Sequence, residues 1–191
     1  MLDILAAGGA RDLTTQRIAD AVGVTDAALF RHFPDKDAMV SEAIDLFVAR
    51  MSSSFPEDAA EPLPALREFF SRRLAMVSQY PEMMRLAFND RLAEVAGIDG
   101  ARTVSDMVER SVGFVRDCLL RARRKGEISQ DVSVDVLVWT VTGVLRGAAG
   151  ARGGGATTTQ LSPEQVWTDL ERLLRAEPTT SRAARKFVKK K

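Results

Sequence analysis

Apolar residues in the first quarter of the chain recur at the three- and four-residue spacing of amphipathic helices. A helical run at residues 2–7 ends at two glycines, and a second helix begins at Thr14 or Thr15, either of which can cap its N-terminus. Gly23 then suits a tight turn with positive φ. The pattern therefore predicts two short helices that lead into a turn.

Two further helices follow this turn. Thr25 can cap a third helix, which ends before Pro34 because proline cannot continue a helix. Asp35 can cap a fourth, longer helix. The positions that the spacing predicts to face inward are Ile18, Ala19, Val22, Val24, Leu29, Met39, Ala43, Leu46 and Phe47.

The rest of the chain also has helical periodicity. A proline-containing segment at 52–64 predicts a linker, and the glycines at 97–100 and 153–155 predict loops. The β-branched run that begins at Val134 is typical of a strand as well as of a buried helix, but we predict a helix because no second strand signal is present to pair with it. The predicted helices of this part span residues 66–77, 82–95, 103–125, 134–149 and 164–176. The fold class is therefore all-α, with a three-helix head, a fourth connecting helix and a helical-bundle body.

Composition is typical of a globular protein and gives no strong indication of a partner. The 191 residues are 46% hydrophobic and 28% charged, and the formal net charge of +1 is too small to indicate nucleic acid by itself. The single cysteine, Cys118, excludes an intrachain disulfide and fits a reducing cytoplasm. No apolar run approaches the roughly 18 residues of a membrane-spanning helix, and residues 1–10 lack the basic start of a secretory signal. We expect a cytoplasmic protein with a basic tail at 179–191.

Catalysis finds little support in the residue types present. One histidine and one cysteine, far apart, make no familiar metal-binding spacing. No nucleophile elbow is present, and the glycines at 153–155 lack the lysine and serine of a phosphate-binding loop. We therefore expect no enzyme activity, no cofactor and no metal.

The strongest signal is the segment LTTQRIADAVGVTDAALFRHFPDK at residues 13–36. Two short helices joined at a glycine suit a helix-turn-helix, whose second helix lies in the DNA major groove. The segment resembles the TetR family of transcriptional regulators, because it fills almost every fixed position of that family's pattern TTxxIAxxxGVxxxALxxHFxxK. Phe30 replaces the family's usual tyrosine, which removes a hydroxyl contact to phosphate but still allows contact with a thymine methyl.

The resemblance implies which residues meet DNA. Gln16, at the start of the second helix, would approach the backbone, the third helix would read bases, and Lys36 would neutralise a phosphate. Asp26 could accept a hydrogen bond from cytosine N4. The full predicted set is Thr15, Gln16, Thr25, Asp26, Ala27, Ala28, Phe30, Arg31, His32 and Lys36.

The resemblance also implies roles for the body. A homodimer would form through the last two long helices and would match a palindromic double-stranded operator. An effector held in the body would shift the fourth helix and move the two heads out of register. The apolar residues expected to supply the dimer surface are Val136, Leu137, Val141, Val144, Leu145, Trp167, Leu170 and Leu174.

A cluster of methionine and aromatic residues in the body predicts a pocket for a small, largely apolar effector, since methionine adapts to irregular shapes. The residues predicted to line it are Phe69, Arg73, Met76, Met83, Phe88, Phe114 and Trp139. The first function hypothesis is thus a repressor released by an effector, divided into a DNA-binding domain at 1–50, a dimerisation and effector domain at 51–178, and the tail at 179–191. The alternative is a DNA-bound factor that engages a protein partner such as a division component, because the variant AALFRHFPDK also resembles the branch of the family that includes nucleoid-occlusion division inhibitors.

The first helix is short for the resemblance. Only residues 1–7 precede the glycines, about two helical turns. We expect a longer native N-terminus with basic residues upstream, which would add phosphate contacts and strengthen DNA binding.

Overall fold

The computed structural model describes residues 14–80, 82–88, 92–150 and 162–175. These residues form helices and no strand. In chain order the helices are α1 (Thr15–Val22), α2 (Asp26–His32), α3 (Lys36–Ser52), α4 (Pro62–Gln79), α5 (Glu82–Ala87), α6 (Leu92–Arg124), α7 (Val134–Gly150) and α8 (Pro163–Leu174). We call α1–α3 the head and α4–α8 the body. The helix predicted at 2–7, the glycines at 153–155 and the basic tail lie outside the described residues.

Polar side chains cap the N-termini of the helices, as the sequence predicts. Thr14, Thr25 and Asp35 each accept a hydrogen bond from the backbone N–H three residues on, over 3.2, 3.2 and 2.8 Å. Ser162 does the same for α8, and Pro163 occupies its first turn. Such caps satisfy backbone donors that a helix leaves unpaired at its start.

Three boundaries differ from those predicted. The segment predicted as a linker to residue 64 ends earlier, because Pro62 begins α4 with the fixed φ that suits a first helical turn. The helix predicted over 82–95 is two helices, since α5 ends at Ala87 and α6 begins at Leu92. The loop predicted at 97–100 is a kink inside α6 instead, where Gly97 alone leaves helical geometry (φ 67°, ψ 176°). The segment predicted as helix at 134–149 is confirmed as α7.

The buried apolar residues form two clusters. The body cluster joins α4, α6, α7 and α8. In it Phe70 packs against Trp167, with ring centroids 5.5 Å apart. The head cluster includes Ile18, Leu29 and Phe47, and it continues into α6 through Val104 and Met107. Head and body therefore share a packed interior at α6, where the head cluster reaches into the body.

No helix in the described part of the chain is long and apolar enough to cross a membrane.

Two positions predicted to face inward are exposed instead. Val24 lies in the turn after α1, where its N–H is bonded to Ala19 and its side chain meets solvent. Leu46 is exposed because α3 buries the stripe that contains Met39, Ala43 and Phe47, and Leu46 falls outside that stripe.

Candidate DNA-reading helix and body cavity

A tight turn sets α2 against α1. Gly23 adopts φ 74° and ψ 32°, and the next residue, Val24, donates its N–H to the Ala19 carbonyl over 3.0 Å. Ile18, Ala19 and Leu29 are buried between the helices and the rest of the head. Because these residues face inward, the opposite side of α2 is free of contacts with the head core.

The exposed side of α2 carries most of the residues expected to read bases. Phe30 is 48% exposed although it is a large apolar side chain, and Arg31 and His32 are exposed beside it in the last turn. Of the ten predicted contact residues, the exposed ones are Gln16, Thr25, Ala27, Phe30, Arg31 and His32, and the half-buried ones are Thr15, Asp26, Ala28 and Lys36. This geometry leaves a helix face that fits a groove, as a helix-turn-helix requires.

Two of these residues already have intramolecular roles. Gln16 Nε2 donates to Asp20 Oδ1 over 2.9 Å, so a DNA contact by this amide competes with a bond along α1. Thr25 Oγ1 accepts the cap bond described above, and its hydroxyl hydrogen can still donate to a phosphate. Asp26 Oδ1 is buried and has no hydrogen-bond partner among the described residues.

The body contains an apolar cavity of about 60 Å³. The lining residues come from α3 to α7 and the residue after α5: Met51, Phe69, Arg73, Ala87, Phe88, Val108, Ser111, Val112, Val115, Thr142 and Leu145. The space admits about two water-sized groups, well below the roughly 300–1,000 Å³ of typical small-molecule sites. A bulkier ligand therefore requires the cavity to widen.

The structure brings together three of the seven residues predicted for the pocket. Phe69, Arg73 and Phe88 line the cavity. Phe114 does not line it but stacks on Phe69 with centroids 5.0 Å apart. Met76 packs against the head cluster instead.

Trp139 lies elsewhere, contrary to the prediction. Its side chain is 71% exposed, because α7 turns Leu137, Val138 and Val141 towards the core and Trp139 falls on the opposite side. The side chain of Met83 lies outside what the structure describes.

Arg73 is the polar group of this cavity, and it is only 3% exposed. Its Nε donates to Ser54 Oγ over 2.8 Å, its Nη1 to Met51 Sδ over 2.9 Å, and its Nη2 to the Met51 carbonyl over 3.0 Å and to Ser111 Oγ over 3.2 Å. The guanidinium also lies over the Phe69 ring, 4.9 Å from its centroid. Burial lowers the pKa of Arg73 to about 10, so the side chain stays cationic at neutral pH.

Sequence reasoning missed three partners of this arginine: Met51, Ser54 and Ser111. The available signal was Arg73 itself, which interrupts the apolar stripe of α4 between Phe70 and Val77. A charged residue in a buried stripe requires partners, but the pattern does not say which helices supply them.

A second, wider groove separates α3 from α6. Its volume is about 380 Å³, and the residues that line it are Asp37, Val40, Ser41, Ile44, Asp45, Ala96, Gly97, Asp99, Gly100 and Thr103. The lining is half polar and contains three carboxylates, which does not suit a largely apolar effector. The described residues contain no group of three or more side chains that could hold a metal ion.

Comparison with known proteins identifies a family model that matches the N-terminal region. Residues 2–43 match the family model for bacterial regulatory proteins of the tetR family. The nucleoid occlusion factor SlmA of Vibrio cholerae is 26% identical over 151 residues, which cover 73% of this chain and 72% of that protein. The HTH-type transcriptional regulator RutR of Escherichia coli is 30% identical over 96 residues, which cover 48% of this chain and only 44% of RutR.

Solved structures extend the likeness to the body. The ketosteroid transcriptional regulator KstR2 of Mycobacterium tuberculosis aligns with a TM-score of 0.69 at 20% identity, over 92% of this chain and 91% of that one. The TetR family transcriptional regulator PfmR from Thermus thermophilus aligns with a TM-score of 0.69 at 18% identity, over 93% and 95%. At such identities the likeness concerns the fold, which here includes both head and body.

Proposed function

Because the chain belongs to the TetR family of helix-turn-helix DNA-binding transcription regulators, we propose that it is a homodimeric repressor that a small effector releases from a palindromic operator. The observation that carries the proposal is the exposed face of α2, held outward by the Gly23 turn and the buried residues beneath it. Phe30, Arg31 and His32 are the large exposed side chains of this face.

The proposed operator contacts divide into two kinds. Ala27, Phe30 and Arg31 face the bases, so they set the sequence preference. Lys36 lies at the start of α3, where a cation and the helix N-terminus together favour a phosphate. Contacts to phosphate position the head, and contacts to base edges specify the sequence.

The proposed dimer surface is an exposed apolar stripe on α7. Val136, Trp139 and the glycines at 143 and 147 repeat at helical spacing, and all four are exposed. Leu173 on α8 is 66% exposed and adds to the apolar surface. Most of the residues expected from the sequence to supply this surface are buried in the body cluster instead: Leu137, Val141, Leu145, Trp167, Leu170 and Leu174. We therefore assign the dimer surface to the exposed stripe centred on Trp139.

The proposed effector site is the apolar cavity between α4, α6 and α7. Phe69, Val112 and Leu145 give it apolar walls, and Arg73 gives it one fixed polar group, which is the usual makeup of a ligand site. Arg73 also donates a hydrogen bond to the Met51 carbonyl in the last turn of α3, so a ligand in the cavity can act on the last helix of the head. The alternative, a factor that binds a protein partner, has no comparable feature among the residues that the structure describes.

The experiment that tests this function is a selection of bound genomic fragments with the purified 191-residue chain. We expect a palindromic consensus whose half-sites lie one helical turn apart, about 34–36 Å, or a multiple of it. The variant Ala27→Arg should change the consensus, whereas Arg124→Ala, an exposed arginine at the end of α6, should leave it unchanged. Fragments with no shared consensus would contradict the proposal.

A further inference from the structure

The buried guanidinium of Arg73 carries a charge that no carboxylate neutralises within the described part of the chain. Its four hydrogen bonds go to two hydroxyls, one carbonyl and one thioether, all of them neutral. The lowered pKa has burial as its cause, with no contribution from a nearby anion. Burying an unpaired charge is costly, and buried charges in proteins are usually paired.

One donor of Arg73 is also left over. A guanidinium has five N–H groups, and the bonds to Ser54, Met51 and Ser111 use four of them. The remaining N–H belongs to Nη1 and has no partner among the described residues. A second cationic side chain, Arg146, lies over the Phe88 ring, with its Cζ 4.0 Å from the ring centroid. Because Phe88 lines the cavity, this second guanidinium also adds positive charge near it.

The space beside Arg73 matches a small anionic group. About 60 Å³ corresponds to roughly two water-sized groups, and a carboxylate is of that order. Beyond it the walls are apolar, formed by Phe69, Val115 and Leu145, and Phe88, which is 40% exposed, lies where the cavity meets solvent. The site thus combines a cationic inner end with an apolar path outward.

We propose that this cavity binds an amphipathic carboxylic acid, with the carboxylate on Arg73 and the hydrocarbon part along the apolar walls towards Phe88. The inference rests on the effector part of the proposed function and names the class of ligand. A carboxylate offers two oxygens to the guanidinium fork and supplies the missing charge, whereas a neutral apolar ligand leaves the charge unpaired and a cation is repelled by it.

Binding of the acid also explains how the cavity communicates with the head. The same guanidinium holds the Met51 carbonyl and the Ser54 hydroxyl at the C-terminal end of α3. A carboxylate competes for these donors because hydrogen bonds between two charged groups are stronger than those to neutral acceptors. The acid therefore loosens the hold of the body on α3, the last helix of the head.

The test compares three probes with the same hydrocarbon chain length on the 191-residue protein: decanoate, decan-1-ol and decyltrimethylammonium. Titration calorimetry should show decanoate binding at least about tenfold more tightly than decan-1-ol, and no binding of the cation. Arg73→Gln should remove this preference for the acid. Arg72→Gln is the matched control, because it removes an exposed arginine one position earlier on α4 that does not line the cavity, and it should keep the preference.

A cavity-filling variant covers the case in which Arg73→Gln fails to fold. Val112→Trp fills the space from α6 with Arg73 intact, and it should abolish decanoate binding. Equal binding of acid and alcohol by the unmodified chain, absence of decanoate binding, a preference for the acid that survives Arg73→Gln, or decanoate binding that survives Val112→Trp would overturn the proposal.

The operator readout separates this proposal from the proposed function. If decan-1-ol alone binds and releases operator DNA, the effector-released repressor stands and the acid class falls. If none of the probes binds while the palindromic consensus is found, the acid class falls and the DNA-reading role stands.

Discussion

The turn between α1 and α2 offers a test in which one substitution has opposite effects at two places. Gly23 and Gly113 would each place an added Cβ in open space, with no heavy atom within 4 Å. Packing therefore contributes little at either site, and the backbone decides the sign. Gly23 has φ 74°, a left-handed conformation that costs an ordinary L-residue about 1–2 kcal/mol.

Gly113 lies inside α6 with no positive φ. Alanine there should stabilise the protein by about 0.5–1 kcal/mol, because glycine is a poor helix former and loses more conformational freedom on folding. Gly23→Ala should instead destabilise it by about 1–2 kcal/mol. The two variants should therefore differ by about 2 kcal/mol in the free energy of unfolding.

Urea denaturation followed by far-ultraviolet circular dichroism measures both changes. Gly23→Asn is the rescue variant, because asparagine tolerates the left-handed region better than alanine does, so it should recover most of the loss. If Gly23→Ala and Gly113→Ala shift the unfolding midpoint in the same direction, or if Gly23→Asn is no better than Gly23→Ala, the backbone argument is wrong.

Three further predictions follow from surface and buried side chains. Lys36→Ala should weaken binding to all DNA sequences and reduce the slope of log affinity against log salt by about one, measured by fluorescence anisotropy. Arg124→Ala should leave this slope unchanged, and an equal loss of affinity and slope in the two variants would contradict a specific role for Lys36. Trp139→Asp should convert the dimer to monomer in analytical ultracentrifugation, whereas Ile98→Asp, which alters a side chain that is 75% exposed outside the proposed interface, should not. Cys118 should react with a thiol reagent only after unfolding, because it is fully buried and burial raises its pKa; rapid labelling of the native protein would refute this.

The head could be predicted from local sequence because its signals are local. Thr25 and Asp35 cap helices that begin one residue later, and Gly23 adopts the positive φ that its turn requires. Each of these effects involves residues within four positions along the chain, so the sequence alone is enough to predict it.

The body could be predicted only in part because its features depend on contacts between distant helices. The helical pattern of α7 is readable from the sequence, but which of its sides faces the core depends on α4 and α6, and Trp139, predicted to line the pocket, faces solvent instead. Gly97 predicted a break, yet whether the chain makes a loop or a kink there depends on packing against α3. The partners of Arg73 come from segments 19 to 38 residues away, which no periodicity can reveal.

The shared interior at α6 limits how this protein can be taken apart or recombined. A cut after α3 would leave Ile44, Phe47 and Met51 facing water on the side that Val104 and Met107 now cover. The head as cut is therefore not an autonomous module, although the linker after it looks like a natural place to cut. A chimaera that transplants this DNA specificity onto another body must carry the first half of α6 with it, or bring a helix that presents an equivalent apolar face.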